Sequence, residues 1–109
     1  MALTYKVLGT ASTTTGGTAL YTNATSGGAV VSSIIVSNSS TSPRAFAVHV
    51  VPTSATAVAN QYCIASGTTV PANDSIIMTL GISLASGNSI KVSGSTTDVG
   101  FIAFGAEIS

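Results

Sequence analysis

Charge is what this sequence most lacks. Lys6, Arg44 and Lys91 are balanced by Asp74, Asp98 and Glu107, so 6% of its 109 residues are charged and the formal net charge is zero. Ordinary soluble domains carry about 25%. Three dispersed cations make no basic patch for phosphates, so no nucleic-acid partner is expected. The lone cysteine, Cys63, excludes an intrachain disulfide and a thiolate metal cluster, and reads as a small strand residue. Tryptophan is absent, and Tyr5, Tyr21 and Tyr62 are the only polar-tipped aromatics, a thin supply of platforms for a sugar ring. No stretch approaches the roughly 20 apolar residues of a membrane-spanning helix, and no membrane partner is expected. The opening MALTYKVLGT has one lysine and no long apolar core. It therefore does not read as a secretory signal, and synthesis in a cytoplasm is expected.

Hydroxyls stand where the charges would be. Sixteen threonines and seventeen serines occupy 33 of the 109 positions. Threonine favours strands and serine favours turns, so the composition points to all-β structure. A neutral surface resists self-association poorly, which suits a component of an assembly. The length fits a single domain over residues 1–109, with 1–17 as an N-terminal strand and loop available for assembly contacts.

The spacing predicts seven or eight strands and no helix. Val70–Gly94 anchors this reading, with apolar alternation in Ser75–Leu80 and Ser89–Val92. Ile76, Met78 and Leu80 share one face, and Ile90 and Val92 another. Ile82 and Leu84 form a short strand between the two runs, and Ala85–Asn88 is a turn. Upstream, Leu3–Thr10 and Thr18–Thr22 read as strands, separated by the loop Ala11–Gly17 and followed by the loop Asn23–Gly28. Ala29–Asn38 is apolar on both sides, Val30, Ile34 and Val36 on one and Val31 and Ile35 on the other, as in a strand covered on both faces. After the turn Ser39–Pro43, Arg44–Val51 directs Phe46, Val48 and Val50 inward and Ala45, Ala47, His49 and Val51 outward. Pro52–Val58 reads as a loop or weak helical turn, Gln61–Ser66 as a strand, and Gly67–Ala72 as the return. Val99–Ile108 closes the chain with Ile102, Phe104 and Ile108 on one face. These elements predict an antiparallel β-sandwich of jelly-roll or immunoglobulin-like type. Its expected core unites Ile76, Met78, Ile90, Phe46 and Phe104.

Chemistry-bearing residues are few. His49 has only Ala, Phe and Val around it on its strand, no set for a catalytic triad or a metal site. Asp74, Asp98 and Glu107 occupy turns and the C-terminus, where nothing predicts the controlled separation of a glycosidase pair. Asn23-Ala24-Thr25, Asn38-Ser39-Ser40 and Asn73-Asp74-Ser75 fit the glycosylation pattern, which arises by chance in so hydroxyl-rich a chain. Gly16-Gly17 and Gly27-Gly28 lack the lysine and helix of a phosphate loop and read as turns. No catalytic residue, cofactor or metal ligand is therefore assigned. The outward apolar and strand residues Ile35, His49, Val51 and Ile77 are the expected interface.

AVVSSIIVSN, FAVHVVP, ANQYCIA, VPANDSIIMTLGISLASGNSIKV and FIAFGAEIS run from about Thr18 to the end. In these stretches the chain resembles small virion structural proteins and tail-fibre segments of tailed bacteriophages. Phe104, Gly105, Glu107 and Ile108 match the Phe-Gly-x-Glu-Ile ending of such modules. The resemblance implies a β-sandwich and a non-enzymatic place in a virion, foremost as a capsid decoration or cement protein. A tail or neck accessory protein and a glycan-binding adhesion module are the alternatives. It carries no site motif. Expected partners are further copies of the chain, as a trimer, and another phage structural protein such as the capsid or tail.

Overall fold

Short apolar alternations punctuated by Ser, Asn and Gly form strands because each has one side to bury and a turn at hand. A computed structural model describes residues 3–12, 14, 18–52 and 62–108. Among these residues are eight strands: β1 (Leu3–Ala11), β2 (Thr18–Thr22), β3 (Ala29–Asn38), β4 (Arg44–Val51), β5 (Cys63–Val70), β6 (Ser75–Leu84), β7 (Ser89–Gly94) and β8 (Val99–Ile108). They form two four-stranded sheets, in the orders β1-β8-β3-β6 and β2-β7-β4-β5. Every pairing is antiparallel.

The pairings β1–β8, β2–β7, β3–β6 and β4–β5 are those of one long hairpin folded back about the β4–β5 connection. Rolling that hairpin adds β3–β8 and β4–β7 and sends successive strands to opposite sheets everywhere except at β4–β5. This is the eight-stranded jelly roll with its two Greek keys, which decides between the two sandwich types the sequence allowed.

Between the sheets lies one apolar cluster, including Leu20, Val31, Ile34, Val36, Phe46, Val48, Leu84, Ile90, Val92, Val99 and Phe101. Phe46 and Phe101 meet across it edge to face, ring centroids 6.2 Å apart and planes at 70°, an arrangement that adds to burial alone. Ile76 and Met78 pack against its margin; the side chain of Leu80 lies outside the described residues.

Several sequence-based assignments need correction. In β8 the buried face is Val99, Phe101 and Ala103, while Ile102 is exposed and Phe104 half-buried. That strand is apolar on both sides, and Ile102 with Phe104 outweighs Phe101 with Ala103 in bulk, so alternation alone favoured the wrong face. In β3 the register shifts between Val31 and Ser33 against both neighbours. Against β8 the extra residue is Ser32, which turns Val31 and Ile34 inward together and leaves Val30 outside; against β6 the extra residue lies in β6. Gly67 does not end its strand: with φ of 68° it sits within β5 beside a register shift at Phe46/Ala47, as a bulge glycine does. Ser75–Leu84 is likewise one strand, not two. Most of Ala11–Gly17 and of Pro52–Val58 lies outside the described residues.

Phe101→Ala should cost about 3–5 kcal/mol, the usual loss for a buried aromatic side chain. Phe104→Ala should cost less than half as much in the same urea titration. Equal losses would place both rings in the core.

Candidate interaction surface

Strand register groups the outward side chains into rows, because directly paired residues share a face. On the outside of β1-β8-β3-β6 one row runs Thr10, Ile102, Ile35, Ile77. The next runs Val7, Phe104, Ser33, Thr79, and a third Tyr5, Ala106, Val30, Ser83. Leu3 follows opposite Ile108. Among the described residues the exposed large apolar ones are Leu3, Tyr5, Val7, Val30, Ile64, Ile77 and Ile102. All but Ile64 stand on this one face, with Tyr5 at 77% and Ile77 at 65% exposure. No row contains a charged residue. Leu3, Tyr5, Val30, Ser32, Gly105 and Ala106 line a shallow apolar depression of about 230 Å³ within it. A continuous apolar surface of this kind marks a contact site far better than scattered single residues do.

The other sheet presents a different exterior. Its outward row is Ala19, Lys91, His49, Cys63, half polar and carrying a cation. The four interface residues expected from sequence therefore do not form one patch. Ile35 and Ile77 pair directly on the apolar face. His49 lies half-buried on the opposite exterior. Val51 is corrected outright: it is 1% exposed and cannot contact a partner as the chain stands. The β4–β7 register runs unbroken from Val48 opposite Val92 to Val51 opposite Ser89, and Ser89 is buried as well, so Val51 keeps the side that alternation gives it but that side is covered at this end of the strand. Sequence reading missed Leu3, Tyr5, Val7, Val30 and Ile102 as surface contacts. The signal for Val30 and Ile102 is apolar residues on both sides of β3 and of β8, which leaves the core side undecided.

The carboxylates serve local ties. The Ser75 N–H donates to Asp74 Oδ1 at 2.8 Å. Asp98 accepts from the Thr96 hydroxyl at 3.2 Å and lies 3.9 Å from Arg44. Both acids are exposed. Glu107 joins the two sheets: its Oε1 is 2.7 Å from Lys6 Nζ on β1, and its Oε2 accepts the Tyr21 hydroxyl of β2 at 2.5 Å. Lys6, and secondarily Tyr21, hold the Glu107 carboxyl below its ordinary value of 4.5. Burial, reinforced by Glu107, pushes the Tyr21 hydroxyl well above 10.0. Among the described residues no three His, Cys, Asp or Glu side chains come together as a metal site would require.

Two of the three glycosylation-like triplets have a physical explanation. Asn23 and Asn38 are buried. The Thr25 N–H donates to Asn23 Oδ1 at 3.0 Å, and the Ser40 N–H to Asn38 Oδ1 at 2.9 Å. Each triplet is thus a side-chain-closed turn, in which Asn bonds the backbone two residues on. Asn23 Nδ2 also donates to the Leu84 carbonyl at 2.9 Å, tying the β2–β3 loop to the end of β6. Asn38 Nδ2 donates to the carbonyls of Ser42 at 2.8 Å and Val70 at 3.2 Å. Asn73, in the third triplet, has the left-handed φ of 54° that Asn tolerates.

No family model, no curated protein and no solved structure matches this chain.

Asn38→Ala should lower stability by about 1–3 kcal/mol, since it strands buried carbonyls that lose their donor. Chemical denaturation measures it, and an unchanged midpoint would show that water replaces the amide. The Glu107 cluster sets a pH window. A carboxylate whose folded pKa is depressed stabilises above its unfolded value, and that contribution fades as pH falls from about 4.5 through the lower folded value. Tyr21, raised in the fold, stabilises below 10.0 and loses its contribution as pH climbs beyond it. Glu107→Gln should flatten the acid limb of the urea midpoint against pH; an identical limb in the variant would assign acid sensitivity to other groups.

Proposed function

We propose that this chain is a non-enzymatic structural component of a tailed-phage virion, foremost a capsid decoration protein. The observation that carries the reading is the uncharged apolar exterior of the β1-β8-β3-β6 sheet. Leu3, Tyr5, Val7, Val30, Ile77 and Ile102 would all stand in water on an isolated copy, so the chain is built to be covered. The resemblance of the segments from AVVSSIIVSN through FIAFGAEIS to virion modules supports the same role. So does the jelly roll, a fold shared by capsid and lectin domains, although a fold hosts many functions and supports this one by analogy only.

A sugar-binding role would call for aromatic faces that converge. Tyr5 projects from one sheet's exterior, Tyr21 is buried with its hydroxyl on Glu107, and Tyr62 precedes β5 on the other sheet. That arrangement favours packing over glycan recognition.

The test is addition of the purified protein to phage particles that lack it, followed by sedimentation and imaging. Saturable co-sedimentation at a fixed copy number on the head is expected. Recovery of all the protein in the supernatant at micromolar concentration would overturn the reading, and density confined to the tail would replace decoration with a tail role.

A further inference from the structure

We infer that the exterior of the β1-β8-β3-β6 sheet is a self-association face, on which a second copy of this chain packs about a twofold axis. The inference names the partner of the face that carries the proposed function, and rests on that reading only for the claim that the face is covered.

Three properties point to a second copy. The first is charge. The three cross-strand rows contain only apolar and hydroxyl residues, alanine included, and the whole chain has zero formal net charge. Such a face has no like charges to oppose when it meets its own image, and offers no charge pattern by which a different partner would be selected. The second is symmetry. An isologous pair needs one self-complementary patch, whereas a closed threefold ring is heterologous and needs two different patches that fit each other. Among the described residues the exposed large apolar side chains gather on one face, Ile64 excepted, while the opposite exterior carries Lys91 and His49. The geometry therefore favours a twofold pair over the trimer expected from sequence.

The third is area. Sheets stack about 10 Å apart, so the shortest molecular axis runs across them. The two longer extents of the molecule, 45 and 26 Å, enclose an outline larger than the area of about 800 Å² that a standard interface takes from each partner, so the broad side leaves room for an interface of that size. In the pair, Ile77 and Tyr5 would leave water, and the depression beside Tyr5 and Val30 would receive a side chain of the second copy.

Sedimentation equilibrium and light scattering of the full chain, without any particle present, test this. The wild type should be a dimer at micromolar concentration. Ile77→Lys and Ile102→Lys should each raise the dissociation constant at least about 100-fold, because a lysine held in a dry interface loses hydration without a partner. Ser66→Lys, on the exposed exterior of the other sheet, should leave the dimer intact. Circular dichroism checks that each variant is folded; if a lysine variant is not, Ile77→Ser and Tyr5→Ser, at highly exposed positions, should still weaken the dimer. A monomeric wild type overturns the inference, as does a trimer, or a dimer broken by Ser66→Lys and indifferent to changes at residues 5, 77 and 102. A wild-type monomer whose binding to particles is lost in Ile77→Lys would overturn the second copy and hand the face to a particle protein. A dimer with no affinity for particles would instead leave this inference standing and remove the proposed function.

Discussion

Strand register, and the bulges that adjust it, is the constraint on which the rest of this molecule depends. Side chains alternate with a period of two, so an extra residue in one strand exchanges the buried and exposed sets beyond it. Register shifts occur at Val7/Gly9 in β1, Ala19/Tyr21 in β2 and Val31/Ser33 in β3. At Ser32 the shift lets Val31 and Ile34 enter the same core although their parity differs, and sends Val30 and Ile35 to the outside. In β1 it brings Leu8 against the core while Val7 and Thr10 face out. Gly9 follows at once, where a Cβ would collide with the Leu20 carbonyl of the facing sheet. The core and the apolar exterior are thus two products of the same few irregularities.

With so little charge, the ends of the sandwich are held by amides and hydroxyls. Asn23 and Asn38 act as buried hubs, each closing its own turn and reaching a carbonyl far along the chain. Around them, the Ser12 hydroxyl donates to the Thr97 carbonyl at 2.6 Å, the Ser39 hydroxyl to that of Asp98 at 3.2 Å, and the Ala45 N–H donates to the Ser95 hydroxyl at 3.1 Å. These neutral bonds satisfy loop backbone that would otherwise need water. A charged cluster, Lys6–Glu107–Tyr21, joins β1 and β8 of one sheet to β2 of the other.

The resulting body has two unlike exteriors. One is uncharged and apolar over four strands, the other mixed, with His49, Lys91 and Cys63 in one row. A molecule of this kind can pair through one side and still offer a distinct second side to another component. That contrast supports the proposed assembly role, since exposed apolar area on that scale is a liability in isolation.

How much of this was legible beforehand differs from residue to residue. Composition and local alternation determined the all-β class, the absence of helical periodicity, the inward Phe46, Val48 and Ile90, and the outward Ile77. Those follow from short-range chemistry: threonine and β-branched residues in extended chain, Asn and Gly in turns, polar neighbours on one side. The jelly-roll order, the inward Phe101 and outward Phe104, the buried Val51 and the separation of His49 from Ile77 were decided by the tertiary structure. Where both sides of a strand are apolar, as in β3 and β8, alternation has no polar side to point outward. Only pairing with particular neighbours, bulges included, chooses which apolar face meets the other sheet and which is left for a partner.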